Sequence, residues 1–110
     1  MKKVLVVLVL SLVSSSVFAG SGSGTVEWVR VRASDNLHYF KLTGAHNSRP
    51  NCATNSAWTI KDENSPAGKT QISILMAAWV SGKEVEVVGN NDCTRWGDIE
   101  DANEVVINQG

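Results

Sequence analysis

The chain has 110 residues, with ten lysines and arginines against eleven aspartates and glutamates, a net charge of −1. That length makes one domain. The near balance of charge, with seven of the acids in residues 84–110, excludes nucleic acid as the ligand.

Lys2 and Lys3 lead an almost wholly apolar run over residues 4–13. Ser14, Ser15 and Ser16 follow, then Val17, Phe18 and Ala19. A basic start, a short apolar core and small residues at the third-last and last positions read as an export signal cleaved after Ala19. The apolar run is too short for a membrane span. Residues 1–19 are therefore expected to be a signal peptide and residues 20–110 a single secreted or periplasmic domain. Without Lys2 and Lys3, eight basic residues face eleven acidic ones, a balance of −3.

Ser21, Gly22, Ser23 and Gly24 read as a flexible leader. Residues 25–33, rich in Val and Trp, read as a strand. Ser34, Asp35 and Asn36 are a turn signal. Residues 37–42 alternate, with His38, Phe40 and Leu42 on one face, and complete a hairpin. A long polar loop covers residues 43–56, and residues 57–61 form a short strand that puts Trp58 and Ile60 on one side. Ser65 and Pro66 are a helix start, as N-cap and first helical residue. Ile72, Leu75, Met76 and Trp79 then recur at helical spacing, and Gly82 stops the helix. Residues 84–89 alternate again, with Val85 and Val87 on one face. A last strand is predicted over residues 104–108. The order, three strands, a helix and two strands, predicts a mainly β fold with one helix. The specific expectation is a five-stranded OB-fold Greek-key barrel, with the helix between strands three and four. An open α+β sheet is the alternative.

Cys52 and Cys93 both lie in the exported part, and an even count there predicts one disulfide. On the chain-entropy account, closing that loop stabilises by about 4 kcal/mol. With the cysteines so used, His38 and His46 are too few ligands for a metal site. No metal or cofactor is expected.

Residues 36–44 (Asn36-Leu-His-Tyr-Phe-Lys-Leu-Thr-Gly44), Cys52 followed six residues later by Trp58, the helix end Val80-Ser-Gly-Lys83 and the Val85-Glu-Val-Val stretch resemble the B subunit of subtilase cytotoxin and its pertussis-like relatives. The similarity covers roughly residues 22–89. The resemblance implies a secreted OB-fold that assembles as a homopentamer, binds a cell-surface glycan and carries an enzymatic A subunit. It also implies helices lining a central pore. Here the helix face of Ile74 and the small residues Ala77 and Ala78 would face neighbouring copies. The sugar-binding serine implied by the resemblance falls on Ser23, just before Gly24. The acidic partner implied a few residues earlier has no counterpart in residues 20–22.

No catalytic constellation stands out: neither histidine sits in a nucleophile motif, and Glu100 and Asp101 point apart if extended. A non-enzyme is expected. Sugar sites need ring faces for stacking and polar groups for hydroxyls. Of the four tryptophans, Trp58 and Trp79 fall in core patterns, and Trp96, in a polar loop, is the candidate for exposure. Asn47, Arg49 and Asn51 in the 43–56 loop form a second candidate surface. Two alternatives to a toxin subunit are a free-standing exported module for a small ligand or protein, and an inhibitor of another enzyme.

Overall fold

The computed structural model describes residues 19–107. The predicted export signal up to Phe18, and Asn108 of the predicted last strand, lie outside the described residues. The elements are β1 (Ser21–Arg32), β2 (Leu37–Leu42), β3 (His46–Asn47), β4 (Trp58–Ile60), α1 (Pro66–Ser81), β5 (Glu84–Gly89) and β6 (Glu100–Ile107). Among the described residues the fold is mainly β with one helix, and Cys52 and Cys93 form a disulfide.

The long β1 organises the sheet. Its first half, from Ser21 to Thr25, pairs with β5, and its second half, from Val26 to Arg32, pairs with β2. Glu27 is an extra residue near the start of the second half, since Val26 faces Leu42 and Trp28 already faces Lys41. Such a bulge bends a strand and re-aims its side chains. As a result Val26 and Val29 both reach the core, while Trp28 and Arg30 stand on the outer face. Onward from β2 the pairing runs to β4, then in parallel to β6, then to β5, and so returns to β1.

Inside lie Phe40, Leu42, Trp58, Ile60, Val85, Val87, Ala102 and Val105, with Leu75 and Ala78 of α1 packed against them. The helix begins and ends as its sequence dictates. Ser65 Oγ accepts the Gly68 N–H at 2.9 Å, Pro66 opens the first turn, and Gly82 closes the helix in the left-handed conformation at φ 68°.

Three expectations are corrected. Ser21–Gly24 is not a loose leader but the start of β1, paired residue for residue with β5. Sequence composition argues against a strand there, because Gly and Ser have low strand propensity. Close approach overrides it: a Cβ on Gly22 would meet the Ala45 carbonyl oxygen at 3.2 Å and the Trp58 ring at 3.3 Å. The last strand begins at Glu100, not at residue 104. The helix is also turned relative to the expected stripe. Ala78 is fully buried and Ile74 packs partly against the core, whereas Trp79 is 52% exposed. Gly68 explains the turn, because its Cα rests on the Asp62 carbonyl where any Cβ would overlap, and this points positions 68, 75 and 78 inward. Of the three residues assigned to neighbouring copies, only Ala77 is exposed.

Candidate functional site

Residues 20–24 alternate glycine with serine, and an extended chain puts alternate residues on opposite faces. Gly20, Gly22 and Gly24 therefore face close-packed neighbours, and Ser21 and Ser23 face out. Ser21 stands opposite Asn47 of β3 on one side and Val88 of β5 on the other, and Ser23 stands opposite Glu86. Together these residues line an open cleft of about 250 Å³, completed by Gly22 and Val87. Its groups are hydroxyls, an amide and a carboxylate, beside the partly exposed side chain of Val88. No lysine or arginine lines it. The cleft can exchange hydrogen bonds with a polyhydroxylated ligand and place Val88 against an apolar patch of it.

Behind the cleft is a buried polar cage. Glu100 Oε2 accepts the Gly20 N–H and the Asn91 N–H, each at 3.0 Å, and Oε1 lies 2.7 Å from His46 Nε2. The carboxylate and the imidazole are both cut off from solvent, at 0% and 1% side-chain exposure. His46 Nδ1 lies 3.2 Å from the Ser56 carbonyl oxygen. The ring stacks on Trp58 with centroids 3.5 Å apart. Glycines make room for the carboxylate: a Cβ on Gly20 or on Gly89 would overlap it.

The next residue, Asp101, is equally buried but faces the loop that follows β5. Its Oδ1 accepts from Thr59 Oγ1 at 2.8 Å and from the Arg95 N–H at 3.1 Å. Its Oδ2 accepts the Thr94 N–H at 3.0 Å and the Thr94 hydroxyl. Burial pushes the Asp101 carboxyl up, but hydrogen bonds from Thr94, Asp92, Thr59 and the Arg95 amide outweigh it and hold it below the usual range. Asp92, by contrast, is pushed up by burial and by its hydrogen bond with Asp101. Every oxygen of Glu100 and Asp101 is engaged within the fold, and neither residue lines the cleft.

On the other half of β1 the outer face is aromatic and cationic. Trp28 and Trp96 both meet Tyr39 edge to face, at 5.5 and 5.1 Å between centroids. Arg30 covers Trp28 at 4.1 Å and Arg32 covers Trp96 at 4.9 Å. Arg32 also forks onto Asp35, through Nε at 3.0 Å and Nη2 at 2.7 Å. That hydrogen bonding lowers the Asp35 carboxyl to about 2. Arg95 bridges to Glu63 at 3.1 Å and to the Asp35 carbonyl at 2.8 Å.

The structure therefore separates the residues singled out from sequence. Ser23 lines the cleft. Arg49 and Asn51 are exposed on the loop before β4 and line no part of it. Trp96 is half-buried in the aromatic ladder rather than free in solvent. Asn47, expected on a separate loop surface with Arg49 and Asn51, lines the cleft beside Ser23, and Glu86 is the polar cleft residue to which the sequence assigned no sugar-facing role. The signal for Glu86 was available: in a strand that alternates Val85 and Val87 inward, Glu86 must face out. Its position opposite Ser23 was not readable, since it depends on a long-range strand pairing.

The chain matches no protein-family model, no curated protein and no solved structure.

Proposed function

We propose that this chain is an exported, non-enzymatic glycan-binding module of the type used as B subunits by subtilase-like and pertussis-like toxins. The cleft at Ser21, Ser23, Asn47 and Glu86 carries the reading, since its hydroxyls, amide and carboxylate suit sugar hydroxyls. An OB-fold barrel is part of the proposal. It is supported by the strand pairings that lead from β1 through β2, β4, β6 and β5 back to β1, and by α1 falling between β4 and β5. The acid that residues 20–22 lack is supplied across the sheet by Glu86. With Glu86 present and no cation in the lining, the ligand is a neutral sugar; an anionic one would be repelled. The cleft lies just below the roughly 300–1,000 Å³ of drug-sized sites, which fits one ring per copy. Affinity then comes from several copies acting together in a pentamer that docks an A subunit.

The test is a glycan array with the protein from Gly20 onward, followed by titration of hits against Ser23→Ala and Glu86→Gln. Binding to neutral glycans that both substitutions abolish supports the reading, and native mass spectrometry should show a ring of five. A monomer that ignores every glycan overturns it. A second reading, a free-standing module for a protein or small ligand, is favoured by the Trp28–Tyr39–Trp96 face with its three nearby arginines, Arg30, Arg32 and Arg95. Loss of binding on Trp28→Ala, with Ser23→Ala silent, would choose it.

A further inference from the structure

Glu100 is a buried carboxylate whose nearest ionisable partner is one imidazole. A carboxylate held away from water normally needs a full counter-charge. The group that lies 3.0 Å from its Oε2 is the backbone nitrogen of Gly20. Gly20 follows Ala19, the residue at which the sequence predicts cleavage. Hydrolysis of the Ala19–Gly20 bond adds water across it. Ala19 leaves as a carboxylate, and the Gly20 nitrogen becomes an α-ammonium with three N–H donors. We propose that this bond is the maturation site, cut by an endopeptidase. The new α-ammonium of Gly20 then becomes the buried counter-ion of Glu100 and locks β1 into the sheet.

Three observations fix the site to one residue. The Gly20 carbonyl accepts the Gly89 N–H at 2.7 Å, and Ser21 is already in register with Val88, so the nitrogen cannot slide along the sheet. A Cβ at position 20 would overlap the Glu100 carboxylate and come within 2.8 Å of His46 Nε2, so only glycine can present its nitrogen there. The cage holds two N–H donors on Oε2 and the imidazole on Oε1, an arrangement an ammonium enters without displacing any partner. A chain that starts one residue later loses the ion pair. A chain that starts one residue earlier keeps only a neutral amide against the carboxylate. The proposal is independent of what the cleft binds.

The test begins with the full chain expressed in an exporting host. Its N-terminal sequence and intact mass should show Gly20 first. The Gly20 chain is then compared with an α-N-acetylated Gly20 chain and with one that begins at Ala19. Both altered forms should melt several degrees lower, a shift expected for a lost ion pair in a domain of this size. In the native Gly20 chain, acylation of the α-amine by an amine-reactive ester should run at least about tenfold slower than in the unfolded chain, a factor worth about one pKa unit. In Glu100→Gln the melting difference between free and acetylated chains should vanish. The acylation rate, read on the unsubstituted protein, keeps the test decisive if that variant does not fold. Processing at another bond, equal melting of the free and acetylated chains, or an α-amine that reacts at the unfolded rate would each overturn the proposal.

Discussion

Glu100 and Asp101 are neighbours in β6, equally buried, and point to opposite sides of the strand. Their partners differ in kind. Asp101 is held mainly by its own loop, with the Thr94 and Arg95 donors seven and six residues away and only Thr59 distant. Glu100 is held by Gly20, 80 residues away, by His46, 54 residues away, and by Asn91 nearby. One carboxylate shapes a loop, whereas the other gathers the start of β1, β3 and the turn after β5. Equal burial therefore does not mean equal consequence. What matters is whether the groups left behind can reach water when the carboxylate is removed.

The disulfide lies on the Asp101 side. Cys52 and Cys93, with Cα atoms 6.1 Å apart, join the loop before β4 to the loop after β5, and the Asn55 N–H adds a bond to the Asp98 carbonyl at 3.1 Å. The loop that Asp101 organises thus has a covalent support that the Glu100 cage lacks.

The largest effect is expected for Glu100→Ala. It strands the Gly20 and Asn91 nitrogens and the His46 imidazole, and should cost on the order of 4–5 kcal/mol. Urea unfolding would measure it, and hydrogen exchange should show the amides of Ser21, Gly22 and Ser23 opening with it. Cys52→Ser comes next. It releases a 41-residue closure and should cost about 4 kcal/mol. Here the loops around Cys52 and Cys93 should loosen before β1 does. Asp101→Ala should cost less, about 2 kcal/mol, because Thr94 and the Arg95 amide sit in a loop that can turn to water. Faster exchange should stay within residues 93–96. If Asp101→Ala costs as much as Glu100→Ala, or opens β1, the division between a loop-holding and a sheet-closing carboxylate is wrong.

The parts legible in the sequence are those fixed by local chemistry. Ser65-Pro66 and Gly82 marked the helix ends, Ser34-Asp35-Asn36 marked the turn, and the even cysteine count in a chain read as exported marked the disulfide. The parts that escaped are set by distant neighbours. A Gly-Ser alternation over residues 20–24 has the period of a strand, yet its composition reads as a leader until Trp58 and Glu100 are placed against its glycines. The helix periodicity located a stripe but not its angle, which depends on Gly68 meeting Asp62. In the candidate site Ser23 and Asn47 were singled out separately, while their meeting and the part of Glu86 depended on strand register. Trp96 was expected free in solvent, but Tyr39 and Arg32, which half-bury it, arrive from the hairpin.

A third carboxylate, Asp35, marks the exposed extreme of the comparison. It takes two hydrogen bonds from Arg32, at 3.0 and 2.7 Å, and one from the Leu37 N–H at 3.3 Å. These hold its carboxyl at about 2, Arg32 contributing most. In the unfolded chain an aspartate titrates near about 3.9. The folded value is the lower one, so the stabilisation is complete above about pH 4 and disappears as pH falls through about 2. Asp35→Asn should therefore lower the urea midpoint slightly above about pH 4, leave it unchanged once pH has fallen through about 2, and so flatten the fall over that window. Solvent surrounds this pair, so the effect should be the smallest of the four, and 1 M salt should shrink it further. Glu100→Ala should instead lower the midpoint at every pH and keep its cost in salt. An Asp35→Asn protein whose acid profile overlays that of the unsubstituted chain would mean that the Arg32 fork orders the turn without stabilising it.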